Sequence, residues 1–324
     1  MKRREFLGMA AVATAVWPEA TQAVSKGELD TLKRRSVGQV NIVYKSPHAH
    51  PNGLQATPRG LWVQDQSPDN WVTLVNYADG KVLHEIQPDI RQASGVTVDE
   101  NVMWVSSTYN CMHVACSPED GRTIAKYWTP GAGRIYAKAG DPPPSRSPLP
   151  PAYPRPAPRA GDSTGARGAG RVGNATVSGA IRGSNSGPGW SGDPSLPYGR
   201  LPLAAENGLG GTGAHGIENR GGLLYFAVPP ARTLYVVDPK TWVVQDAWSL
   251  AANRPHGVGW APEGDSLWVS DSNLLAFFRH DLKTGKIVEK IQLSEKDPII
   301  HGASVHDGYM WYCDDVGYIC NFKL

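Results

Sequence analysis

Pro255-His-Gly-Val-Gly-Trp260, a turn at Pro262-Glu-Gly-Asp265, then Leu267-Trp-Val-Ser-Asp271 and Leu275-Ala-Phe-Phe-Arg-His-Asp281 form one unit that decides how the chain is read. Each apolar run is short, rich in Val, Trp and Phe, and closed by Gly, Asn, Asp or Pro. That is the pattern of strands joined by tight turns, and it leaves no room for a long helix. The unit recurs five times, opening at Asn52-Gly53-Leu54, Ser94-Gly95-Val96, His215-Gly216-Ile217, His256-Gly257-Val258 and His301-Gly302-Ala303. The second strands carry Trp62, Trp104, Tyr225, Trp268 and Trp311 at one repeat position, where an aromatic is expected to pack sheet on sheet. Gly53 to Gly95 is 42 residues, Gly216 to Gly257 is 41 and Gly257 to Gly302 is 45. A four-stranded propeller blade has a period of about 40–45 residues.

The expected fold is therefore an all-β, five-bladed β-propeller with four-stranded blades. The last repeat ends after three strands, while Val40 to Tyr44 reads as a strand without a repeat of its own. Pairing that segment with the strand around Tyr318 to Phe322 would complete blade five and remove the open edges of the array.

The period breaks between Gly95 and Gly216, which are 121 residues apart. The extra segment, 132–213, holds thirteen of the 27 prolines and 17 of the 36 glycines, and nine basic against four acidic residues. Such a composition does not bury enough apolar surface to fold alone, so it is expected as a basic insert, either disordered or draped on the propeller as a lid.

At the N-terminus, Met1-Lys2-Arg3-Arg4-Glu5-Phe6-Leu7 followed by Ala-rich sequence to Ala23 reads as a twin-arginine-type signal peptide over 1–23. The mature chain would start near Val24, with a linker over 24–36 that contains Lys33-Arg34-Arg35 and a propeller over 37–324. Periplasmic or secreted location follows. No later run approaches the roughly 18 apolar residues of a membrane span, so no stable membrane span is expected. A net charge of +2 and the absence of a dense basic patch interleaved with aromatics speak against a nucleic-acid partner. Four cysteines in an exported chain fit two disulfides, with Cys313 and Cys320 facing across a hairpin at Val316-Gly317 as the clearer pair and Cys111 close to Cys116.

In a propeller the first strand of each blade lines the axis. The residue before each repeated glycine therefore converges there: Asn52, Ser94, His215, His256 and His301. The position four after the Leu or Met of the second strand reaches the same rim and carries Asp65, Ser107, Val228, Asp271 and Asp314. Three imidazoles from consecutive blades suit a divalent metal ion, whether zinc, calcium or magnesium, so His215, His256 and His301 are the candidate ligands. His256, Asp271 and Asp314 are the candidate catalytic residues, and Asn52 and Ser94 the candidate substrate-binding ones. The plainer alternative is that the histidines fill the channel mouth and bond to backbone carbonyls. His48, His50 and His306 are weaker candidates, and His84, His113 and His280 read as solvated.

The run Pro-His-Gly-Val, a turn, Leu-Trp-Val and then Thr284-Gly285-Lys286 resembles the repeats of the streptogramin lyase, NHL-repeat and gluconolactonase-type propellers, over residues 40–131 and 214–324. The resemblance implies the fold, and in the lyase members an axial histidine acting with a divalent metal. Five repeats, the large insert and a missing acidic metal-site pattern depart from it. The expected function is a metal-assisted lyase or hydrolase acting on a small-molecule substrate at the channel mouth. The alternative is a non-catalytic propeller that binds a protein partner through the insert, or a glycan.

Overall fold

The alternation of short apolar runs and turns folds into five sheets in a computed structural model that describes residues 24–66, 69–99, 101–133, 212–252, 254–314 and 316–324. The expected signal at 1–23 and most of the insert, 134–211, lie outside the described residues. Blade one is built from Pro51–Thr57, Gly60–Asp65, Val72–Val75 and Val82–Ile86, and blade two from Gly95–Asp99, Val102–Ser107, Met112–Cys116 and Thr123–Trp128. Blade three follows with Ile217–Arg220, Leu223–Val228, Thr233–Asp238 and Val243–Ser249. Blade four has Pro255–Trp260, Ser266–Asp271, Ala276–Asp281 and Ile287–Gln292. Blade five has Ala303–His306, Tyr309–Cys313 and Tyr318–Lys323, completed by Asn41–Lys45. The four strands of each blade pair antiparallel, in chain order except for Asn41–Lys45 at the outer edge of blade five, and the first strands of neighbouring blades touch around a closed ring. The protein is thus a five-bladed β-propeller.

The repeated glycines make that ring possible. A Cβ on Gly216 would lie 2.0 Å from the His256 carbonyl oxygen, and one on Gly95 would lie 2.1 Å from that of His215. First strands meet backbone to backbone at the axis, and only a residue without a side chain allows the approach. Farther out, the five repeat aromatics do the packing. Trp62 sits in the cluster between blades one and two, Trp104 between two and three, Tyr225 between three and four, Trp268 between four and five, and Trp311 between five and one. The core is therefore a set of seams between blades.

Asn41–Lys45 pairs antiparallel with Tyr318–Lys323, with Asn41 opposite Asn321 and Ile42 opposite Cys320, which closes the ring as the sequence pattern implies. The residues expected in a linker do more than connect. A capping box between Ser25 and Glu28 starts a helix at Lys26–Thr31, whose Leu29 is buried against Ala276 and Phe278. Lys33–Arg35 then adds a parallel fifth strand to the edge of blade four, held by Arg35 to Glu289 at 3.1 Å and to Glu263 at 2.7 Å. Consecutive N-terminal segments therefore fasten blade four and blade five.

The expected disulfides are not formed. Cys320 stands opposite Tyr312 and Cys313 opposite Ile319, so alternation of side chains along the strands sends the two sulfurs to opposite faces of the sheet. Cys320 enters the seam between blades four and five, Cys313 the seam between five and one. All four thiols are free and buried, and burial pushes Cys111 and Cys116 up to about 12 and Cys313 and Cys320 well above their usual range. Thiol titration of unreduced protein is expected to give four thiols after unfolding and almost none before; fewer than four would restore a bridge.

His113 and His280 are not solvated as their sequence context suggested; both are fully buried. They lie on third strands, whose faces still pack against a neighbouring blade. His113 meets Phe226 and Trp242 of blade three, and His280 stacks on Trp248 of the same blade. No helix among the described residues is long and apolar enough to cross a membrane.

Candidate functional site

Local irregularities in the first strands turn the residue before the glycine toward the axis. In blade four the pairing runs from Pro255 opposite Asp271 to Val258 opposite Val269, so one extra residue is accommodated at His256-Gly257. Blade one has the same shift at Asn52. Bulges of this kind re-aim a side chain while the ladder continues on either side.

The three histidines converge as the repeat implies. The ring centres of His215 and His256 are 4.4 Å apart, as are those of His256 and His301, at tilts of 47° and 30°. His256 is the middle ring and is 1% exposed. Its Nδ1 lies 2.5 Å from Ser272 Oγ, which in turn donates to the Ile300 carbonyl at 2.5 Å. Asn52 Nδ2 lies 3.0 Å from His301 Nδ1, and Thr212 Oγ1 lies 3.3 Å from His215 Nε2. His215 Nδ1 is buried without a hydrogen-bond partner. Ser94 accepts from Gln66 Nε2 at 2.9 Å.

Burial holds His215 and His256 neutral. It pulls His215 down to about 3, with the Arg254 charge adding to the effect. His256 is held well below its usual range by burial first, then by His301, His215 and Arg254. Neutral rings keep their lone pairs at physiological pH, the form needed to accept a proton or ligate an ion.

The rim carboxylates serve the turns. Asp271 accepts from the backbone N–H groups of Arg254, Asn273 and Leu274, and Asp314 Oδ1 from those of Val316, Gly317 and Tyr318. Asp65 likewise accepts from the His50 N–H. Burial raises Asp271 to about 6 even though its three hydrogen bonds oppose the change. Of the weaker candidates, His48 bonds to Glu85 at 2.6 Å and stacks on Trp71, and His306 stacks on Tyr77.

Two imidazoles sharing one tetrahedral zinc at about 2.0–2.1 Å would hold their ring centres about 5 Å apart. The observed rings are closer and lean on one another. Among the described residues, no group of three or more His, Cys, Asp or Glu side chains is arranged to hold a metal ion.

The ends of the insert meet beside this cluster. Gly133 and Thr212 form an antiparallel bridge, and Gly213 N–H donates to the Thr108 carbonyl at 2.7 Å. The neck of the insert therefore opens next to His215.

A second axial layer lies two residues beyond each repeated glycine: Gln55, Thr97, Glu218, Gly259 and Ser304. Glu218 accepts from Gln55 Nε2 at 3.2 Å, Thr97 Oγ1 at 3.3 Å and Ser304 Oγ at 3.2 Å, so residues from four blades meet on one carboxyl. Burial raises it to about 8 against these bonds. The offset that finds the histidines, moved by three residues, finds this layer as well. Gln66 and Ser272 share the repeat position directly after the rim residues Asp65 and Asp271, whereas Arg254 and Thr212 sit outside any repeat signal.

No family model matches the chain, and no curated protein matches it in sequence. Among solved structures, a glutaminyl cyclase from Myxococcus xanthus shares the fold, with 10% identity, a TM-score of 0.51, and 90% of this chain and 97% of that one covered. A catalytically inactive virginiamycin B lyase from Staphylococcus aureus with quinupristin has 13% identity and a TM-score of 0.42, covering 86% and 68%. A streptogramin B lyase has 15% identity and a TM-score of 0.41, covering 88% and 97%.

Proposed function

We propose that the protein is an exported propeller enzyme, a lyase or hydrolase that holds a small polar molecule at the axial mouth, with His256 as its acid–base residue. The observation that carries this reading is the meeting of three buried imidazoles from consecutive blades at the axis, two of them, His215 and His256, held neutral by burial with Arg254 beside them. Elimination and ester or amide cleavage both need a base to take a proton and a donor to stabilise the charge that develops on oxygen. Adjacent imidazoles supply both. Asn52, Ser94 and Arg254 would orient the polar groups of the substrate, and the insert neck at Thr212 would border it.

The purified protein is to be assayed on glutaminyl peptides, quinupristin, simple lactones and esters, which sample the lyase and hydrolase classes. His256→Ala is expected to lower kcat/KM by about 10²–10⁴-fold, the usual contribution of a positioned acid–base group, while His84→Ala leaves activity unchanged. Turnover by His256→Ala equal to wild type would overturn the assignment. Elemental analysis of the same preparations tests a divalent ion on His215, His256 and His301. Acid–base chemistry by imidazole alone does not require one, and stoichiometric metal lost in His256→Ala would show that the rings turn to ligate it.

A further inference from the structure

We propose that Ser272 is a positioning residue that fixes His256 in one tautomer, with Nδ1 protonated and Nε2 free to accept a proton. The inference rests on the reading of His256 as the acid–base residue and assigns the atom that acts. A serine hydroxyl has one hydrogen to give. The Ile300 carbonyl, 2.5 Å from Ser272 Oγ, can only accept, so the hydroxyl hydrogen goes there. The same oxygen lies 2.5 Å from His256 Nδ1 and has only lone pairs left to offer that atom. Nδ1 must therefore carry the hydrogen, and in a neutral imidazole that leaves the lone pair on Nε2.

His301, one ring away, is set the other way. Asn52 Nδ2 is a donor, so the His301 Nδ1 atom facing it accepts and Nε2 carries the hydrogen. Two imidazoles at equivalent repeat positions thus acquire opposite characters from their neighbours, one an acceptor and the other a donor. When His256 takes a proton on Nε2, its Nδ1–H stays on Ser272 and nothing has to rearrange.

The turn that presents Ser272 is fixed by its neighbours. Asp271 accepts from the N–H groups of Arg254, Asn273 and Leu274, and Ser272 N–H donates to the Arg254 carbonyl at 3.0 Å. This gives Asp271 a positioning part once removed. Ser272 itself is fully buried. At the corresponding place in blade three stands Pro229, which has no hydroxyl, so His215 lacks this partner.

The test is two-bond proton–nitrogen correlation NMR on the full chain labelled with 15N-histidine, with His→Ala variants to assign each ring. At neutral pH the wild type is expected to show His256 protonated on Nδ1 and His301 on Nε2. In Ser272→Ala the His256 signals should move toward the Nε2-protonated or averaged form, and Ser272→Thr should restore them. On a substrate from the panel, Ser272→Ala should lower kcat by about tenfold or more with little change in KM. A wild-type His256 protonated on Nε2, or a tautomer unchanged in Ser272→Ala, overturns the positioning role, and the wild-type spectrum decides even if the alanine variant fails to fold. A fully active His256→Ala enzyme would overturn the proposed function itself and with it the acceptor role, so the two failures are separate.

Discussion

Gly216→Ala is expected to abolish the folded ring. The added methyl would sit 2.0 Å from the His256 carbonyl oxygen and 2.9 Å from both a Val258 methyl and the Val258 nitrogen. Two of those three neighbours are backbone atoms of the inner strand of blade four, which is itself clamped between blades three and five. No rotamer change relieves such an overlap; a whole blade has to shift outward and open its seams. A cost above about 4 kcal/mol is expected, the range reserved for overpacking that cannot relax. That is a large part of the stability of an ordinary domain. Gly95→Ala and Gly257→Ala, with nearest atoms at 2.1 and 2.2 Å, should behave alike, whereas Gly53→Ala and Gly302→Ala, at 2.7 Å, should cost less. Gly38→Ala, which meets nothing within 4 Å, is the control and should stay within about 0.5 kcal/mol. Urea midpoints for the series check the order. A Gly216→Ala protein as stable as Gly38→Ala would mean that the first strands are not packed at the axis as described.

The same glycines show why so much of this fold can be read from sequence. A repeated Gly flanked by apolar residues, an aromatic at a constant offset and a period near 42 residues are all imposed by the axis and by the seams, so each blade carries them. The convergence of His215, His256 and His301 followed from the same symmetry, and so did the pairing of Asn41–Lys45 with the last strand. What symmetry does not impose was harder to read. Lys33–Arg35 joins blade four as a parallel edge strand, a pairing with no hairpin to announce it. Cys313 and Cys320 depend on the register of one turn, where a shift of a single residue exchanges the two faces of a strand. The role of Ser272 is found only by following the hydroxyl hydrogen to Ile300, a carbonyl contributed by the loop before blade five.

Stability should pass through a maximum near pH 6.5 and fall steeply on its acid side, because the buried imidazoles and the buried carboxyls work in opposite senses. Burial lowers His113 and His215 to about 3 and His280 to about 4, and places His256 well below its ordinary value of 6.5. As the pH falls below 6.5, these rings take protons in the unfolded chain but not in the folded one. Unfolding then binds protons, and stability decreases with pH down to the folded-state values. Glu218, raised from 4.5 to about 8, and Asp271, raised from 3.8 to about 6, have the other sign: between those limits the folded chain keeps a proton that the unfolded chain releases, so stability decreases as pH rises. Each group contributes a slope of at most about 1.4 kcal/mol per pH unit. Between pH 4.5 and 6 four imidazoles outweigh two carboxyls, leaving a net rise with pH of about 2.7 kcal/mol per unit. Above pH 6.5 only Glu218 of this set still acts, and stability should decline by about 1.4 kcal/mol per unit until pH 8. Urea denaturation at half-unit steps from pH 4.5 to 8.5 traces both arms. Glu218→Gln, which keeps an acceptor and cannot ionise, should flatten the alkaline arm and leave the acid arm in place. An alkaline decline of the same slope in Glu218→Gln would remove Glu218 as its cause, and a profile flat from pH 4.5 to 6.5 would show that the four imidazoles are not held neutral by burial.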